Sequence, residues 1–469
     1  MDEFTSALDT AAAIRRKEVS PLEVLDATLS RVDRRNPELN AVIWRNDDDA
    51  RAKAKALGDR IAGADGTDDL PPFAGVPLPI KDLCAVEGQP LTYGSLGAPD
   101  GVSDHNDLVV DAILGAGFIL TGRTNTPEFG SITVTENLRY GPTRNPWNPD
   151  HTPGGSSGGA AAAVSSGMFS VAHASDGGGS IRIPSSCCGL VGLKPSRGRV
   201  PSLIPGWQGM AADGAVCLTV ADAAALLDVM NVPDPGNWWQ VPVPPAPFAT
   251  QPGKDPGRLR VALNTVSGLG IPVADEAVAA VELTGKLLEQ AGHHVERLDA
   301  DIFEAESLAP FLHVVTAGLA ENPGIDWEKV EPNNRAGYAA AHDVDSRTFV
   351  ASVAELHRLS RPIVARWGSE FDLLVTPTLA IEPPPVGVLK AVHESPEMPP
   401  LEVMSMAAFT AVFNITGQPA VSLPLHTAAS GLPVGVQLVA GPWQDDRLLR
   451  VAAQLEAAAP WSDRHPAVR

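Results

Sequence analysis

Helical and strand-like spacings of apolar residues alternate along this chain, with turn residues between them. Residues 5–17 are alanine-rich and spaced for an amphipathic helix. Ser20-Pro21 then supplies an N-cap and a proline at the first helical position. That predicts a second helix running to about Arg35, stopped by Asn36-Pro37. Residues 40–44 predict a short strand, and 46–70 an acidic, alanine-rich surface helix. Residues 76–80 are apolar with prolines and predict a strand edge that delivers Lys81. A helix over 108–116 and a buried strand over 118–121 follow. The Gly, Pro and Asn content of 141–159 predicts irregular chain, followed by a small helix over 160–166 and a strand over 171–174.

The second half carries the same alternation. Residues 232–257 hold eight prolines and Trp238-Trp239, which predicts an ordered loop or linker. Strand 259–263, helix 276–291 and strand 295–298 form a βαβ-like unit. Residues 371–375 predict another buried strand, and 381–400 a further proline-rich loop. Strands at 420–425 and 434–439 and a helix at 445–458 close the sequence. The alternation assigns the chain to the α/β class. No period of 20–50 residues marks a solenoid.

Composition narrows the function classes. The 469 residues are 44% hydrophobic and 19% charged, as in a globular protein with a sizeable core. The net charge of −21 repels nucleic acid and anionic lipid. No run approaches the ~20 apolar residues of a membrane span, and Met1-Asp-Glu-Phe lacks a basic flank and apolar run. Cys84, Cys187, Cys188 and Cys217 form no C-x-x-C pair and suit neither a zinc clamp nor a disulfide framework. They read as reduced, buried residues, so the expected location is cytoplasmic.

The candidate chemistry lies in two glycine-rich loops and one lysine. Residues 153–159 read Pro-Gly-Gly-Ser-Ser-Gly-Gly, and 175–184 read Ser-Asp-Gly-Gly-Gly-Ser-Ile-Arg-Ile-Pro. Hydroxyls among glycines have little steric cover, and the bare N–H groups nearby can point at a ligand oxygen. A serine nucleophile needs a base. None of the eleven histidines has a catalytic context: His293-His294 sit near a strand, and His173 reads as packed rather than facing the site. Residues 154–158 formally match G-x-S-x-G, but that elbow requires a strand just before the serine, and 148–153 do not read as one. Lys81, among Val76, Leu78, Ile80 and Leu83, is the alternative base, because apolar surroundings lower a lysine pKa. Pairing of Lys81 with Asp82 or another carboxylate is the competing structural reading, and the local sequence leaves both open. The two serine-bearing loops favour catalysis.

These residues resemble the amidase signature family. The resemblance runs through Gly154-Gly-Ser-Ser-Gly-Gly159, Ser175 to Pro184 and Gly189-Leu-Val-Gly-Leu-Lys-Pro-Ser-Arg-Gly-Arg-Val200. Flanking matches are Ser20-Pro-Leu-Glu23, Asn36 to Ala41, Gly122-Arg-Thr-Asn-Thr-Pro-Glu-Phe129, Phe413 to Ala420 and Gly431 to Leu438, so it covers nearly the whole chain. It implies a mixed, twisted β-sheet flanked by helices on both faces (α/β/α) within a single domain. That domain would comprise a helical part (1–70), a signature core (71–230), the proline-rich loop (231–257) and a segment completing the sheet and pocket (258–469). It implies Ser180 as nucleophile, Ser156 after a cis peptide at Gly155 as bridging serine, and Lys81 as terminal base. N–H groups of Gly177, Gly178, Gly179 and Ser180 would form the oxyanion hole. Ser175 would steady Ser156, while Asp176 and Arg182 would brace the loop. Ser157 would be structural.

The implied activity is hydrolysis of a small-molecule carbon–nitrogen amide, with aryl amides, carbamates or esters within reach, through an acyl-enzyme and with no metal or organic cofactor. The alternatives are the glutaminase subunit of a tRNA-dependent amidotransferase and a non-enzymatic anion-binding scaffold, although no Walker-type G-K-[ST] is present. The expected partner is a small-molecule amide, with no nucleic acid or membrane, and a homodimer is left open. Gly155, Cys84 and Trp207 are the candidate pocket residues, with Thr92 nearby and 303–345 (Phe311, Trp327, Asn333-Asn334) as a lid or pocket wall. The chain departs from the family pattern at Ala174-Ser175 and at Gly177, where lost bulk would loosen the loop or widen the pocket.

Overall fold

The computed structural model describes residues 2–63, 66–67, 69–300, 302, 305–322, 324–396 and 400–467. Eleven strands are described: β1 (Val42–Arg45), β2 (Pro77–Lys81), β3 (Ile119–Thr124), β4 (Val171–Asp176), β5 (Val191–Lys194), β6 (Ala212–Cys217), β7 (Arg260–Leu263), β8 (His294–Arg297), β9 (Leu373–Pro377), β10 (Ala420–Thr427) and β11 (Pro433–Ala440). They divide between two sheets rather than one. A three-stranded sheet has the order β1-β3-β2, and an eight-stranded sheet has the order β4-β6-β5-β10-β11-β9-β7-β8. The larger sheet is mixed: β7 runs parallel to β8 and β9, and the remaining pairs are antiparallel. The expected βαβ unit is therefore present, with the helix Asp275–Gln290 as its crossover.

Period-2 alternation explains the layering. In β9, Leu373 and Val375 face one core with the helices Val220–Met230, Asp275–Gln290 and Asp445–Ala458. Leu374 faces the opposite core with Leu356 and Ile363 of the helix Ser346–Val364. Further along that second face, Ala172 and Ala174 of β4 pack with the alanine-rich helix Gly158–Ser165 and with Ile183 and Cys187 of Arg182–Cys188. Helices thus cover both faces. Among the described residues no helix is long and apolar enough to cross a membrane.

Several boundaries differ from expectation. The helix begun at Ser20 has its capping box with Glu23 but continues through Pro37 to Leu39. A proline this close to a helix end removes one hydrogen bond. The stop is Asn40, left-handed at φ 50, while the Asn36 side chain accepts from the N–H groups of Ala41 and Val42 at 2.8 Å. The proline-rich 381–400 segment contains the helix Val388–Glu394. Strands β5 and β6 carry Gly192 and Gly214, which weakened their sequence signal. Gly192 serves close packing, because a Cβ there would lie 2.2 Å from Ser185 Oγ on the helix Arg182–Cys188.

Candidate active site

Strand β2 is buried at all five positions and ends on Lys81, as the apolar run predicts. β2 lies beside β4, so Lys81 meets the two serine loops. Its Nζ lies 2.7 Å from Ser156 Oγ, 3.1 Å from Ser175 Oγ and 3.4 Å from the Ser175 carbonyl oxygen. The side chain is fully buried. Burial pushes its pKa down to about 7, against the opposing pull of Asp176 and Asp213. Asp82 is not its partner. That carboxylate accepts from Thr92 Oγ1 and from the N–H groups of Thr92 and Gly94, and stands 3.6 Å from Arg123 Nε.

Ser156 follows a cis Gly155–Ser156 peptide and is buried. Its loop is tied down on either side by Thr135, whose hydroxyl donates to the Gly154 carbonyl (2.8 Å) and accepts from Gly158 N–H (3.0 Å). Ser157 Oγ donates to the Ser175 carbonyl at 3.2 Å, and Ser157 N–H to the Ser180 carbonyl at 3.3 Å, joining the two loops. Ser157 is thus structural. Gly130 is left-handed at φ 68, and a Cβ there would lie 3.0 Å from Ser156 Oγ. Sequence reasoning missed it, although it follows the Glu128-Phe129 pair directly.

Ser180 is half-buried and lines a cavity of about 200 Å³. Its hydroxyl has no hydrogen-bond partner among the described residues, so the structure joins Lys81 to Ser156 but leaves the Ser156–Ser180 link unmade. Catalytic hydrogen bonds are often long before substrate binds.

The loop carrying Ser180 is braced by a buried ion pair. Arg182 Nε and Nη2 donate to the two Asp176 carboxylate oxygens at 2.9 and 2.8 Å. The remaining guanidinium hydrogens reach the Thr410 carbonyl, Gln437 Oε1 and Asn414 Oδ1. Burial alone would raise the Asp176 pKa, but the Arg182 charge and the hydrogen bonds outweigh it and hold the carboxyl well below its usual range. Asp176 Oδ1 also accepts the Gly179 N–H at 2.7 Å. Of the four expected oxyanion donors, the Gly179 N–H is therefore committed to Asp176 in this structure, which leaves Gly177, Gly178 and Ser180 as the uncommitted candidates. Removing one partner of such a pair strands a buried charge. Arg182→Met is therefore expected to lower unfolding stability by about 3–5 kcal/mol, measured by urea denaturation.

The cavity corrects other expectations. Trp207 lines it, but Gly155 and Cys84 do not. Gly155 is packed behind its wall, since a Cβ there would lie 2.9 Å from the Val134 backbone. Cys84 is buried with its carbonyl accepting from Arg123, and Thr92 is occupied by Asp82. Within 303–345, residues 303–304 and 323 lie outside the described residues; Phe311 faces the cavity from the helix Leu308–Ala317. Trp327 instead stacks on Tyr338 at 3.7 Å, and Asn334 donates to Glu128. Gly177 does not widen the pocket, because the Trp207 indole fills the space beside it. His173 is buried against Asp213 at 3.2 Å, and His293 binds Leu259 N–H and Gln454. Walls at 131–133 and 403–412 had no motif to reveal them. Every residue lining the cavity is uncharged.

The Amidase family model matches residues 23–449. The 6-aminohexanoate-cyclic-dimer hydrolase of Paenarthrobacter ureafaciens is 36% identical over 499 residues, covering 99% of this chain and 97% of that protein. A solved structure of a 6-aminohexanoate cyclic dimer hydrolase complexed with substrate superimposes with a TM-score of 0.93 at 34% identity, over 100% of both chains. A bacterial aryl acylamidase of the amidase signature enzymes gives a TM-score of 0.88 at 28% identity, over 98% of this chain and 97% of that one.

Proposed function

The chain belongs to the amidase family, whose members hydrolyse carbon–nitrogen amide bonds in small molecules, and on that premise we propose that Ser180, Ser156 and Lys81 carry the reaction on an uncharged amide with an apolar acyl group. The single observation that carries this reading is the 2.7 Å contact between a fully buried lysine amine and Ser156 Oγ. A pKa of about 7 keeps a large share of that amine neutral at physiological pH, which is where a base works best.

Lys81 takes the Ser156 proton as Ser156 takes the Ser180 proton. Ser180 Oγ then bonds to the amide carbon, and the carbonyl π pair moves onto oxygen. N–H groups of Gly177, Gly178 and Ser180 receive that oxyanion. On collapse the carbon–nitrogen bond breaks, and Ser156 passes a proton to the leaving amine while recovering one from Lys81. Water hydrolyses the acyl-serine by the same relay. Esters and carbamates share this acyl chemistry.

The uncharged cavity lining supports apolar acyl groups over glutamine, whose ammonium and carboxylate would enter without partners. The glutaminase reading is accordingly not favoured. A screen of aliphatic amides, anilides and glutamine is expected to give kcat/KM at least about 100-fold higher for hexananilide than for glutamine. Equal or faster glutamine hydrolysis would remove the apolar assignment. Four free, buried cysteines support a reducing, cytoplasmic setting, and the net charge of −21 opposes a nucleic-acid partner.

A further inference from the structure

Trp207 is held between two glycines. Gly318 has φ −64 and ψ −16, and Gly177 lies outside the left-handed region, so a positive φ is not what calls for glycine at either position. The indole leaves no room for a side chain. A Cβ on Gly177 would lie 2.4 Å from Trp207 Cζ3 and 2.7 Å from Cε3. A Cβ on Gly318 would lie 2.5 Å from Cδ1 and 2.9 Å from Nε1. The six-membered ring therefore rests on the loop that leads into Ser180, and the five-membered ring on the end of the helix Leu308–Ala317.

Two further observations tie this wedge to ligand binding. Trp207 (φ 51, ψ 49) and Gln208 (φ 57, ψ 37) are consecutive non-glycine residues in the left-handed region. Such a conformation costs of order 1–3 kcal/mol per residue and clusters at ligand clamps. The indole also stands edge-on to Phe311, with ring centroids 6.4 Å apart and an interplanar angle of 88°, and both rings line the cavity that Ser180 faces.

We infer that Trp207 is a specificity-determining residue: its indole closes the cavity beside Gly177 and sets the length of apolar acyl chain that fits. This rests on the reading that the acyl group occupies that cavity. Shortening Trp207 to alanine merges the indole's volume with the cavity, beside the apolar side chains of Phe311 and Met210 that pack with it. Longer acyl chains then bury methylenes that the wild type excludes. No group of the proposed Lys81–Ser156–Ser180 relay is removed, so the change is read as the ratio between chain lengths rather than as an absolute rate.

The test is a series of acyl anilides from acetyl to octanoyl. Trp207→Ala is expected to raise the octanoyl-to-acetyl ratio of kcat/KM at least about tenfold over wild type. The same anilides are titrated calorimetrically against Ser180→Ala and against Ser180→Ala/Trp207→Ala, which reads the preference without turnover. A parallel change at every chain length, in turnover and binding alike, overturns the inference and leaves Trp207 a packing residue. A shifted binding preference with no turnover in the wild type overturns the reading of Ser180 and upholds this one. The wedge itself is tested by Gly177→Thr. That variant is expected to lose at least about tenfold in kcat/KM and to recover most of it when Trp207→Ala is added, a coupling that contacting residues show. Additive losses would remove the wedge.

Discussion

Ser180→Ala is expected to abolish amide turnover, lowering kcat by about 10⁴-fold or more, with the fold intact. The residue is half-buried on the cavity wall, and its hydroxyl has no partner to lose. The loop around it is fixed by other groups: Gly179 and Ile181 N–H on Asp176, Arg182 on the same carboxylate, and Thr410 Oγ1 on the Gly178 carbonyl at 2.7 Å. Truncation at such a point changes stability by roughly ±0.5 kcal/mol. Loss of activity together with an unchanged urea midpoint therefore isolates chemistry from folding. Mass spectrometry after mixing with an activated ester is expected to show an acyl adduct on wild type and none on Ser180→Ala. A variant that retains full turnover, or an adduct on another serine, would end the assignment.

The parts of this site that could be read in sequence are those whose chemistry is local. The apolar run before Lys81, the two glycine-serine loops and the Asp176–Arg182 bracing all involve residues close in the chain or in a long ordered motif. The parts that escaped depend on distant partners. Gly179 looks like a free donor until the Asp176 carboxylate folds back onto it. Gly177 looks like lost bulk until Trp207, thirty residues on, fills the space. The walls contributed by Val403, Met404 and Ala407 come from a short helix behind a proline-rich stretch, with nothing periodic to mark it. At Pro37 the turn signal was genuine but weak, because a helix loses little from a proline in its final turn.

Perturbed basicity alone does not single out Lys81 as the proposed base. Lys194 is as buried as Lys81, and its pKa is also pushed down to about 7, by burial first and by the neighbouring Arg182 charge. Its Nζ donates to the Pro195 carbonyl at 2.8 Å, away from any hydroxyl of the site. Structural charge networks shift pKa values as readily as active sites do. What separates the two lysines is the acceptor each amine reaches. Lys81 meets Ser156 and Ser175, and Ser156 belongs to a loop joined through Ser157 to the carbonyl of Ser180.

Lys81→Met carries the other large effect, and pH separates its causes. The proposed relay needs the neutral amine, so wild-type kcat/KM is expected to fall on the acid side of about pH 7, with a one-proton slope, as Lys81 becomes charged. Lys81→Met has no such group. Its residual activity is expected to be about 10²–10⁴-fold lower at pH 7.5 and to lack that acid limb. Stability moves the opposite way. The folded-state pKa of Lys81 lies near 7 against an ordinary 10.5, so between those values the unfolded chain binds the extra proton. Stability from this group therefore rises with pH across that window and is lowest below it. Methionine removes the penalty. Lys81→Met is expected to melt at a higher temperature than wild type at pH 7, with the margin narrowing toward pH 10; Lys194, present in both proteins, cancels from the comparison. A wild-type profile flat from pH 5 to 8, or a methionine variant that keeps the acid limb, would show that the proton is held elsewhere.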